Sequence, residues 1–125
     1  MKKIVFKVLT LLSFVLFSCS DRKVEFKVFN NTNNILDSLM VSSSGSNYLE
    51  KSKILDLKPN TSSNIFIDLA NVERTDGNYY IEVYSQRTSR KKAFGYYSNG
   101  VPTGCGEYEI KIMQDTILIR ELFNQ

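Results

Sequence analysis

Histidine and tryptophan are absent from the 125 residues, and there are only two cysteines and two prolines. Without histidine, neither a Ser-His-Asp nor a Cys-His nucleophile can be assembled, and zinc sites with imidazole ligands are excluded. Two cysteines are too few for a four-thiolate zinc centre. Neither standard Gly-rich phosphate loop is present. Paired carboxylates are left as the one common catalytic device the inventory permits. Without tryptophan, a sugar ring loses its usual stacking platform. Long apolar runs are missing too: the longest, Val8 to Phe17, is about half of what a membrane-spanning helix needs, roughly twenty residues. Of the sixteen bases, Lys2, Lys3 and Lys7 precede Cys19, and none of the thirteen acids does. The chain from Cys19 onward is therefore formally neutral. It lacks the positive footprint that phosphate backbones require, so no nucleic-acid partner is expected.

A basic start, a short apolar run and the small Ser18 before Cys19 have the order of a secretory signal. Leu16-Phe17-Ser18-Cys19 resembles the lipobox of bacterial lipoproteins, and Phe17 with the Ser-Cys-Ser-Asp sequence is similar to the form found in the Bacteroidetes group. The resemblance implies cleavage before Cys19, acylation of its thiol and attachment to the membrane by lipid. Acyl chains contribute about 0.8 kcal/mol per buried methylene, and two or more give stable anchoring. Ser20 stands where an inner-membrane retention signal would have Asp, which implies an outer-membrane destination. Asp21 is followed by Arg22 and Lys23 and not by an acidic run, which points to a periplasm-facing position over surface display. The expected organisation is residues 1–18 as lipoprotein signal peptide, 19–23 as lipidated start and short tether, and 24–125 as a single domain, a length suited to one core. With lipid on Cys19, Cys105 has no intrachain partner, and in Gly104-Cys105-Gly106 it reads as a small, partly buried side chain.

Nearly every apolar stretch after Cys19 has a period of two. Val24, Phe26 and Val28 alternate with Glu25 and Lys27. Asn30 to Asn34 reads as a turn, since Asn tolerates left-handed dihedrals and bonds its own backbone. Ile35–Val41 and Lys53–Leu57 are expected strands, the latter with Ile54 and Asp56 on one face and Leu55 and Leu57 on the other. Pro59 predicts a reversal or a crossing between sheets. Ile65, Ile67 and Leu69 follow. Asn71 to Gly77 is the only candidate for a helical turn, and it is short and polar. Tyr79, Ile81 and Val83 oppose Tyr80, Glu82 and Tyr84. The four bases between Arg87 and Lys92 read as a solvated hairpin end beside a strand at Ala93–Tyr97. Asn99 to Gly104 reads as a loop, and Tyr108–Ile112 and Thr116–Leu122 close the chain as a pair. The expected fold is an all-β, two-sheet antiparallel sandwich of about seven or eight strands.

Val28-Phe29-Asn30-Asn31-Thr32 and Asp56-Leu57-Lys58-Pro59-Asn60-Thr61-Ser62 resemble segments of the immunoglobulin-like adhesion modules of bacterial surface proteins. The resemblance implies a sandwich without catalytic residues, and a transthyretin-like arrangement fits the same strands. The sharpest binding signal is aromatic. Tyr80 and Tyr84 are expected to share an outward face with Tyr96 or Tyr97, as a protein interface or a packed edge. Glu73, Asp76 and Asn78 offer oxygens to calcium, although turn chemistry explains the same residues. Glu107 and Glu109, about 7 Å apart along a strand, have the spacing of an inverting acid pair, although outward glutamates beside inward Tyr108 and Ile110 explain them too. Asp37-Ser38-Leu39 and Asp115-Thr116-Ile117 match a short O-glycosylation pattern. The expected function is a lipid-anchored, non-enzymatic envelope module that binds another envelope protein, with a small glycan- or ligand-binding lipoprotein as the alternative. No cofactor and no metal are expected.

Overall fold

A computed structural model describes residues 22–44, 51–104 and 106–122, so Cys19 and Cys105 lie outside the described residues. Alternation builds the first strand. β1 (Lys23–Asn30) buries Val24, Phe26, Val28 and Asn30 and turns the residues between them outward. The same period governs β5 (Gly77–Ser85), which buries Tyr79, Ile81 and Val83, and β8 (Glu107–Ile112), which buries Tyr108, Ile110 and Ile112. The remaining strands are β2 (Leu36–Ser43), β3 (Lys51–Leu57), β4 (Ser62–Asp68), β6 (Thr88–Ser98), β7 (Val101–Pro102) and β9 (Ile117–Leu122). Helical structure among the described residues is a single 3₁₀ turn at Leu69–Asn71, two residues earlier than the sequence suggests, with the Asp68 carboxylate accepting from the Ala70 amide. None of the helices there is long and apolar enough to cross a membrane.

The strands form two sheets, ordered β4-β1-β8-β9 and β3-β2-β5-β6-β7. Their inner faces enclose one core that includes Leu36, Leu39, Val41, Ile65, Ile67 and Ile110. Each such side chain, fully buried, contributes about 1.5–3 kcal/mol. Phe26 and Tyr108 from the first sheet meet Tyr79 and Phe94 from the second, and Tyr97 joins them through Tyr79, with ring centroids 5.4 Å to 5.7 Å apart. Pro59 sits where the chain leaves β3 and crosses to β4 in the other sheet, one of the two outcomes its position allows.

Four sequence expectations need correction. There are nine strands, because Val101–Pro102 pairs with Tyr97 and Ser98 inside what reads as a loop. The sandwich is not wholly antiparallel: β1 and β8 run parallel, Phe26 beside Tyr108 and Val28 beside Ile110. In β3, Asp56 takes a positive φ of 52°, which shifts the side-chain phase by one. Ile54 packs against the core and Leu57 is buried, while Leu55 is 63% exposed. Finally, β6 begins at Thr88, so Arg90, Lys91 and Lys92 belong to the strand and not to a hairpin end. The Arg90 guanidinium donates to the Met113 carbonyl (2.9 Å) and the Lys92 ammonium to the Ile117 carbonyl (2.8 Å), so both long side chains bridge to the other sheet.

Candidate functional site

Arg22 fixes where the chain enters the fold. Its guanidinium donates to the Gly100 carbonyl (2.8 Å) and the Leu69 carbonyl (2.7 Å), and its own carbonyl accepts from the Leu69 amide. From this end β1 runs eight residues, about 26 Å at the rise of a strand, to Asn30 at the other end of the sandwich. Four connections meet at the Asn30 end: 31–35, 58–61, 86–87 and 113–116.

Buried polar groups must find partners, and Asn30 supplies them at that end. Its side-chain amide donates to the carbonyls of Asn34 and Leu57, both at 2.8 Å, and its Oδ1 accepts from the Thr32 amide and hydroxyl. Thr32 also donates to the Asn34 carbonyl. This network holds the β1–β2 turn in one shape. Opposite it, Ser85 pairs with Thr88 across a two-residue connection in which Gln86 (φ 51°) and Arg87 (φ 65°) are both left-handed. A primed hairpin turn of this kind favours Asn-Gly, and each non-glycine residue held there costs on the order of 1 kcal/mol. The Gln86 side chain spans the gap and donates to Asn34 Oδ1 at 3.0 Å.

Between these elements lies a recess of about 230 Å³. Leu36 and Val83 supply its apolar part. Hydroxyls come from Thr32, Ser85 and Thr88, carboxamides from Asn34, Gln86 and Gln114, and one guanidinium from Arg90. No carboxylate and no aromatic ring lines it among the described residues. Sequence reasoning passed over this site, taking 30–34 as turn chemistry and 87–92 as solvated charge. The available signal was the pair Gln86-Arg87 between two strands, where a hairpin favours Asn and Gly.

The tyrosines are divided by one backbone irregularity. Tyr79 pairs with Phe94 but Gly77 pairs with Tyr97, so Gly95 and Tyr96 together oppose Asn78. Gly95 is left-handed (φ 64°), and a bulge of this form reverses the alternation beyond it. Phe94 and Tyr97 therefore both point inward, and Tyr96 points out. Of the two alternatives, Tyr96 joins Tyr80 and Tyr84 outside, at 47% exposure, whereas Tyr97 is fully buried and its hydroxyl donates to the Ser44 carbonyl. The outer tyrosines are not one platform. Tyr84, 41% exposed, donates to Glu82 at 2.6 Å, a bond that raises the pKa of its phenol. Tyr80 lies under the Lys91 ammonium, 5.1 Å from its ring centroid.

Among the candidate carboxylates, Asp76 and Glu109 are occupied in structural roles. Asp76 accepts from the Asn99 amide (2.9 Å) and from Ser98, and these bonds, with one from Tyr96, lower its pKa below the ordinary 3.8. Among the described residues no three Asp, Glu or Cys side chains come together as metal ligands. Glu107 and Glu109 share the outer face of the four-stranded sheet. Both oxygens of Glu109 accept from Arg120, at 3.2 Å and 3.3 Å, and Lys111 lies 3.5 Å away. Ser38 is in the ladder between β3 and β5, and Thr116 is exposed in the β8–β9 connection. No family model, no curated protein and no solved structure matches the chain.

Proposed function

We propose that this chain is a lipid-anchored, non-enzymatic module of the cell envelope that binds another envelope protein through the outer face of its five-stranded sheet. The observation that carries the reading is the lipobox-like Leu16-Phe17-Ser18-Cys19 placed three residues before Arg22. Three residues reach at most about 10 Å. Arg22 is pinned to Gly100 and Leu69, so a lipid on Cys19 would hold the sandwich against an outer membrane, facing the periplasm, with the Asn30 end outermost.

Tyr80, Tyr84 and Tyr96, with Met40 and the exposed Leu55 on the same sheet, supply the mixed apolar and polar contact area that protein interfaces use. The missing histidine and the ion-paired position of Glu109 favour a binding role over catalysis. For the sandwich itself, the parallel β1–β8 pair between β4 and β9 favours the transthyretin-like arrangement over the immunoglobulin-like one. A second reading, a small glycan- or ligand-binding lipoprotein, is favoured by the recess at the Asn30 end.

Affinity capture from crosslinked, detergent-solubilised envelopes tests the favoured reading. A stoichiometric partner is expected with the unaltered chain, and its loss with the combined Tyr80→Ser, Tyr84→Ser and Tyr96→Ser variant. Recovery of the chain alone, or a partner indifferent to all three substitutions, contradicts it.

A further inference from the structure

We infer that the recess at the Asn30 end binds one saccharide residue. The inference deepens the glycan-binding reading, and it needs neither the lipid on Cys19 nor a protein partner. The chemistry of the lining selects the ligand. The three hydroxyls give their protons to protein oxygens and offer acceptors, and the three carboxamides add N–H donors, which together match a ring whose hydroxyls both donate and accept. Leu36 and Val83, each 1% exposed, close the floor of the recess from beneath, so contact with the ring rests on the polar rim. Without a lining carboxylate, a cation or an amine finds no counter-charge, and without a lining aromatic ring a flat heterocycle finds nothing to stack on. At about 230 Å³ the recess is smaller than the roughly 300–1,000 Å³ of sites for drug-sized ligands, so it takes one ring and not a chain.

The walls are built before any ligand arrives. Asn30 is fully buried and holds Thr32 and Asn34 in place by three hydrogen bonds, with a fourth to the Leu57 carbonyl, and Ser85 donates to the Ile35 carbonyl. Preorganised polar groups lose little freedom on binding. The hairpin at Gln86-Arg87 supports the assignment independently. Both residues occupy a conformation that Asn-Gly would adopt with less strain, and the residue kept there is the one whose carboxamide reaches over the recess to Asn34. Arg90 commits one N–H to the Met113 carbonyl and brings the only cation to the lining, so an acidic sugar gains over its neutral counterpart.

The test is amide-resolved NMR titration of the full isotope-labelled chain in detergent with glucose, N-acetylglucosamine and glucuronate. At least one sugar is expected to shift the amides of Thr32, Asn34, Gln86 and Thr88 with a dissociation constant of about 1 mM, a weak affinity proper to a single ring. The combined Gln86→Asn and Arg87→Gly variant improves the turn, so its thermal midpoint should rise while binding weakens by about tenfold. Leu118→Ser, on the outer face of the other sheet, should leave binding unchanged. Silence of the recess amides toward all three sugars overturns the inference. So does unchanged affinity in the more stable hairpin variant. Neither result bears on the lipid or on the protein partner, whose failure would be read in the envelope capture.

Discussion

Asn30 shows how much of this fold rests on single side chains. It is fully buried, makes four side-chain hydrogen bonds, and its backbone pairs with Asn60 and Thr61. Asn30→Ala would strand the Leu57 carbonyl and the Thr32 amide, and stranded buried groups cost about 1–3 kcal/mol each. We expect a loss of about 3 kcal/mol in urea unfolding, with an unchanged slope. Tyr79 presents the opposite case. Its hydroxyl is buried with no hydrogen-bond partner, and burial, with Tyr108 and Tyr97 adding, holds its pKa far above the ordinary 10.0. Tyr108 is raised in the same way, chiefly by burial. A raised phenol contributes stability that is fully present below the unfolded pKa near 10, and that stability is lost as pH rises beyond it. The urea midpoint should therefore hold steady up to about pH 10 and fall above it. Tyr79→Phe should match or exceed the parent at neutral pH and fall less steeply under alkali. A steeper alkaline loss in the variant would refute the assignment.

At the scale of elements, the period-two reading succeeds wherever a strand is regular. Val24-Phe26-Val28, Tyr79-Ile81-Val83 and Tyr108-Ile110-Ile112 were legible because each strand has one face in the core and alternation encodes that directly. It fails where one residue slips the phase. Asp56 and Gly95 each do so through a positive φ, and a positive φ leaves no pattern in hydropathy. The bases of β6 are misleading for another reason: Arg90 and Lys92 lie on the inward side of the strand, with aliphatic stems long enough to carry their charges out to carbonyls of the other sheet. The recess was hidden because its lining is drawn from β1–β2, β5–β6 and β8–β9 segments that only the fold brings together. Beyond Tyr97 and Ser98, β6 has no strand along its outer edge among the described residues. Charged side chains blunt such edges against pairing with another chain. Replacing the outward Lys91 by isoleucine should raise the aggregation rate several-fold in light scattering, with little change in urea stability below the aggregation threshold. Unchanged scattering would show that the edge is protected by other means.

At the scale of the whole molecule, the proposed lipid on Cys19 would seat the all-β sandwich on a membrane by its N-terminal end. The two sheets share one aromatic and aliphatic core, and Arg22 sets the point from which the remaining chain leaves it. With the proposed lipid on Cys19, the Asn30 end and its recess would lie farthest from the membrane, and the tyrosine-bearing outer face would lie at the side. The proposed envelope role depends on whether Cys19 carries acyl chains. Intact mass measurement of the protein extracted from membranes decides it. The account predicts a chain that starts at Cys19, lacks residues 1–18 and carries the added mass of its acyl groups. A product that retains Met1, or one that begins at Cys19 with an unmodified thiol, would contradict it.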